Sequence, residues 1–122
     1  MKIQNKLRDD IYPSKRVKNH AAKKLRVIFG IKGRVILKHA DSIFHTGDRC
    51  YGLHFVDNDS KGRFIHWIII AEDANQDMQT YMSTLMHEYI HAWQAENGYS
   101  LDHGKEFKIW KKLLDMRYRV NI

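Results

Sequence analysis

The stretch His87-Glu88-Tyr89-Ile90-His91 places two imidazoles and a carboxylate within five residues. On a helix one turn separates the two histidines, and both rings project from one face about 6 Å apart along the axis. Two neutral ring nitrogens so placed can bind one Zn²⁺. Glu88 beside them is positioned to take a proton from a metal-bound water. A tetrahedral catalytic zinc also requires a third protein ligand and an open position. His103 lies twelve residues after His91, beyond a Gly98-Tyr99-Ser100 turn and at the start of a second helical stretch over 103–119. A reversing turn there would bring it back to the metal. Asp102 and Glu106 are the rival oxygen ligands, with Glu96 a further one; imidazole suits Zn²⁺. The long metzincin pattern does not fit, because Gln94 and Asn97 stand where it needs Gly and His.

Something must hold these groups in place. Residues 74–97 contain no Gly or Pro, and Gly98 follows as a stop, which predicts a helix. Asp73 with Gln76 is the expected capping pair. Met78, Tyr81, Met82, Leu85, Tyr89 and Trp93 recur at helical spacing as its core stripe, with His87 and His91 to one side. Further upstream, Ser14 is the expected N-cap of a helix over 14–29 with Gly30 as its stop. There Val17, Ala21, Leu25, Ile28 and Phe29 share one side. Lys15, Arg16, Lys18, Lys23, Lys24 and Arg26 cover much of the rest.

Strands are expected at 34–38, 51–56 and 64–71, the last two joined by a turn over Asn58-Asp59-Ser60-Lys61-Gly62. The loop 40–50 is a candidate cleft rim. In the last helix Phe107, Trp110, Leu113, Leu114 and Arg117 sit at core-compatible spacing. Trp93 and Trp110 are read as packing residues. His54 and His66 are expected to face one another across the hairpin.

HEYIHAWQ followed by His103-Gly104-Lys105-Glu106-Phe107 resembles the SprT-like (Spartan-type) family of zinc metallopeptidases, which pairs a helical H-E-x-x-H with a downstream H-G-x-x-F. The resemblance is close over 87–107 and looser elsewhere. It implies that His87, His91 and His103 bind one Zn²⁺, that Glu88 is the general base, and that Phe107 packs behind the metal helix. It also implies a gluzincin-like fold and, from the family's best-known members, cleavage of proteins attached to DNA. Many relatives carry a zinc ribbon with paired cysteines; Cys50 is the only cysteine here, so no second zinc of that kind is expected.

The 122 residues are expected to form a flexible arm over 1–13 and one domain over 14–122. A single cysteine, no signal-like apolar start and no long apolar run predict a cytoplasmic protein with no membrane partner. Residues 1–38 hold 12 Lys or Arg against two Asp, whereas 39–100 hold three against nine acidic residues. Such a basic end favours phosphate backbones, so the six cations of 14–29 are candidate DNA contacts.

The expected class is α+β: a zincin-like minimal metalloprotease domain with an N-terminal helix, a small antiparallel three-stranded sheet, the H-E-x-x-H helix and a closing helix. The expected activity is zinc-dependent hydrolysis of peptide bonds in a protein or peptide substrate, including DNA-associated proteins. The alternatives are a nucleic-acid-binding module with a structural or vestigial zinc site, and metal-dependent hydrolysis of a non-peptide bond.

Overall fold

The computed structural model describes residues 14–118 and 122. The expected arm over 1–13 lies outside these residues. Helix α1 (Lys15–Phe29) begins where Ser14 accepts a hydrogen bond from the Val17 N–H at 3.2 Å. It ends at Gly30, whose φ of 62° is left-handed. There the amides of Gly30 and Ile31 turn back to the carbonyls of the last turn. Ala21, Leu25 and Phe29 bury its apolar side, as their spacing predicts, and each of the two large side chains contributes ~1.5–3 kcal/mol.

The sheet consists of β1 (Arg34–Ala40), β4 (Gly52–Asn58) and β5 (Phe64–Ala71), in the order β1-β5-β4. The expectation of a purely antiparallel sheet is corrected. β4 and β5 form the antiparallel hairpin, but β1 runs parallel to β5, with Arg34 beside Ile65 and Ala40 beside Ala71. The cause is the link after Ala40. It folds into a two-stranded hairpin of its own, β2 (Phe44–His45) and β3 (Asp48–Arg49), and delivers the chain to the far side of β5 before β4 turns back. Within the β4–β5 turn, the Asp59 carboxylate accepts from the Lys61 and Arg63 amides. Alternation along β5 buries His66, Ile68 and Ile70 on one face and leaves Trp67 exposed on the other.

Helix α2 (Met78–Glu96) lies at the centre of the molecule and α3 (Lys105–Tyr118) closes it. The N-cap of α2 is Asp77, which accepts from Thr80 N–H at 2.8 Å, rather than the expected Asp73. Residues 72–75 instead turn out of β5, and Asp73 pairs with Arg49 at 2.7 Å. The single core stripe is also too narrow. Tyr81, Leu85 and Tyr89 are buried, but so are Met86, Ile90 and Ala92, because α2 touches α1, α3 and the sheet together. Tyr89 donates its hydroxyl to the Ala22 carbonyl of α1 at 3.0 Å.

In α3, Phe107 and Leu114 are buried while Leu113 is exposed, correcting the expected face. Trp110 packs on Phe29 and on Trp93, so both tryptophans serve the core. Among the described residues no helix is long and apolar enough to cross a membrane.

Candidate metal centre and cleft

One turn of α2 sets His87 and His91 on the same side, and the reversal after Gly98 (φ 77°) returns the chain so that His103 meets them. The Nε2 atoms of His87 and His91 lie 3.3 Å apart, and those of His87 and His103 lie 3.1 Å apart. One ligand atom from each of the three lies within 4.8 Å of the others. Zn–N bonds of about 2.0–2.1 Å at the tetrahedral angle would set neighbouring nitrogens about 3.3–3.4 Å apart, so the spacings from His87 to its two neighbours fit that ion. Phe107 packs its ring against all three imidazoles, with centroids 4.7–5.3 Å away, and so backs the cluster. The rival oxygen ligands are occupied elsewhere or stand outside the cluster. Asp102 accepts from the Gly104 amide at 3.0 Å, Glu96 binds His66 at 2.6 Å, and Glu106 is not among the converging groups.

The surroundings of His87 and His91 favour their neutral rings. Burial, with the neighbouring charges of His91 and His103, pushes the His87 pKa down to about 4. Burial also lowers His91, against the hydrogen bond from its Nδ1 to Gln94. Neutral imidazole is the form that binds a metal. Glu88 is 5% exposed, and burial pushes its carboxyl up to about 8. Both His87 and Glu88 line a cleft of about 780 Å³, along with Tyr51, Gly52, Ser83 and Thr84.

Edge strand β4 reaches this cleft at its first residue. A Cβ on Gly52 would stand 3.2 Å from Glu88 Oε2 and 2.9 Å from Thr84 Cγ2, so only glycine lets the strand lie this close to the carboxylate. The buried Asn75 amide braces the contact. It donates to the Tyr51 and Ala71 carbonyls and accepts from the Thr84 hydroxyl. The expected rim over 40–50 contributes no residue to the cleft lining, which starts at Tyr51.

At the opposite end of α2, Glu96 accepts from the Lys32 and Gly33 amides at 2.8 and 2.9 Å and from the His66 ring. His66 Nδ1 in turn meets His54 Nε2 at 2.9 Å, and the His54 ring stacks near His91 with centroids 6.5 Å apart. His54 and His66 do meet across the hairpin, though on a diagonal: His54 stands opposite Ile68, and His66 opposite Val56. Burial, followed by the nearby His66 and His91, lowers the His54 pKa to about 4. This buried chain ties the sheet and the α1–β1 link to α2. Its only sequence signal was the expected pairing of the two strand histidines.

The basic residues of α1 stand apart from the cleft lining. Lys15, Arg16, Lys23 and Lys24 are exposed. Lys18 lies over the Tyr81 ring with Glu72 3.8 Å away, and Arg26 donates to the Ile31 carbonyl, so these two also serve the fold. No family model matches the chain, and neither does any curated protein or solved structure.

Proposed function

We propose that this chain is a zinc-dependent metallopeptidase of the SprT-like type, acting as an endopeptidase on protein substrates. The observation that carries the reading is the convergence of three Nε2 atoms beside a buried carboxylate at the edge of a cleft. Among the described residues three donors meet rather than four, which suits an open catalytic site better than a closed structural one. Zinc, when bound, would supply a Lewis acid that polarises a carbonyl and brings the acidity of water towards neutrality.

The remaining work falls to the chain's own residues. Glu88 accepts a proton from the attacking water and returns it to the leaving amine. Burial alone raises this carboxyl to about 8, and a divalent charge nearby favours its ionised form, bringing it towards the range useful for both steps. The edge position of β4, next to Glu88 at Gly52, suits a substrate that adds as an extended strand through main-chain hydrogen bonds. The exposed cations of α1 offer a surface for polyanions, which supports DNA-associated proteins as substrates.

The test is proteolysis of DNA-binding proteins, with and without DNA, alongside metal analysis and two variants. Glu88→Gln should keep zinc and lose activity by ~10²–10⁴-fold. His103→Ala should lose more zinc affinity than the ~10–100-fold typical of an outer-shell partner. Parental cleavage by Glu88→Gln would refute the reading. DNA binding with no cleavage by the parent would favour a nucleic-acid module with a vestigial site.

A further inference from the structure

Resting on the metal site proposed above, we infer that Gln94 is a positioning residue: its side-chain amide fixes which nitrogen of His91 carries the proton and fastens the loop that presents His103. Gln94 is fully buried on α2, three residues after His91 and on the same helix face. Its Nε2 donates to the Asp102 carbonyl at 3.0 Å, and its Oε1 stands 2.8 Å from His91 Nδ1.

A backbone carbonyl can only accept, so the amide nitrogen must face Asp102 and the amide oxygen must face His91. An amide oxygen also only accepts, so His91 Nδ1 must donate. In a neutral imidazole the proton on Nδ1 leaves a lone pair on Nε2. That Nε2 is the atom 3.3 Å from His87 Nε2 at the point where the three donors meet. The reverse amide orientation would set two carbonyl oxygens against each other and direct N–H donors at His91.

Asp102 immediately precedes His103, so one amide orients the second donor and holds the loop of the third. The Gln94 backbone carbonyl adds to this by accepting from the Tyr99 amide at 2.9 Å within the same reversal.

The experiment uses the full chain with ¹⁵N-labelled histidine. Nitrogen NMR on the metal-free protein reads the His91 tautomer, competition against a chelating indicator reads zinc affinity, and circular dichroism melting reads the fold. In the parent, His91 should be in the Nδ1–H form. Gln94→Met keeps the volume but removes both bonds; it should give mixed His91 tautomers and lose zinc affinity by ~10–100-fold. Gln94→Glu keeps an acceptor for His91 and loses the donor to Asp102; it should retain the Nδ1–H form and lose less affinity than Gln94→Met.

An Nε2–H His91 in the parent would overturn the proposal, as would a folded Gln94→Met protein with parental zinc affinity. If Gln94→Met does not fold, Gln94→Glu decides, and loss of its Nδ1–H form overturns the proposal. A parent that took up no zinc would refute the metallopeptidase reading, while its His91 tautomer would still test the hydrogen-bond assignment separately.

Discussion

Replacing Gly52 with alanine tests whether the close approach of β4 to Glu88 matters for catalysis. The φ of Gly52 lies outside the left-handed region, so the effect of the substitution is one of space. The new Cβ would sit 2.9 Å from Thr84 Cγ2, 3.2 Å from Glu88 Oε2 and 3.2 Å from the Ile69 carbonyl oxygen. Carbon atoms in comfortable contact stand about 3.5–4.0 Å apart, so about 0.6–1.1 Å must be recovered. Thr84 cannot easily retreat, because its hydroxyl is held by the buried Asn75. Ile69 belongs to the central strand. Either β4 lifts or the Glu88 carboxylate moves. Overpacking of this kind costs ~1–3 kcal/mol, and a displacement of about 1 Å at a reacting group costs on the order of 10²-fold in rate.

The assay pairs peptide hydrolysis at saturating zinc with urea unfolding and zinc titration. Rate and unfolding midpoint should both fall, while zinc affinity stays within a few-fold of the parent, since the atoms nearest the new Cβ belong to Thr84, Glu88 and Ile69. Parental rate and midpoint together would refute the argument, and a loss of zinc affinity equal to the loss of rate would show that the helix itself had shifted.

Two further outcomes are expected. Burial works to raise the Glu96 pKa, but hydrogen bonds from the Lys32 amide, His66 and the Gly33 amide outweigh it and hold the carboxyl below the usual 4.5. A depressed folded value contributes stability that is fully present above 4.5 and is lost as pH falls through the folded value. Glu96→Gln should therefore destabilise the fold near neutrality by ~1.5–3 kcal/mol, with the gap from the parent narrowing on acidification. Urea midpoints at several pH values give the comparison, and a constant gap would count against the assignment. Asp77→Ala removes the cap that binds both the Thr80 amide and its hydroxyl. It should cost ~0.5–2 kcal/mol in a thermal or urea melt, and an unchanged melt would mean that α2 is not started there.

The convergence of the three histidines was legible because it is local. His87, Glu88 and His91 depend only on helical spacing, and His103 on a single reversal marked by Gly98. Helix α1 was equally legible, because Ser14 and Gly30 mark its ends and one side is apolar. Strand direction was not. Nothing in residues 34–40 states that their partner is β5 in parallel, since that follows from where the chain re-enters the sheet at Gly52. The stripe expected for α2 was too narrow because apolar residues spread around a central helix, and a one-face reading assumes solvent on the other side. Gln94 first stood out only as a departure from the metzincin pattern; its spacing from His91 was the available signal. Gly52 carried no signal, since its importance arises from a carboxylate 36 positions later in the chain.

The middle place of β5 in the sheet sets an order of assembly. A nascent chain emerging from the ribosome and ending at residue 63 holds β1 and β4 but lacks the strand on which both pair. The sheet therefore waits for Phe64–Ala71. All three imidazoles of the cluster emerge later still, so synthesis completes the strands of the sheet before it delivers His87, His91 and His103.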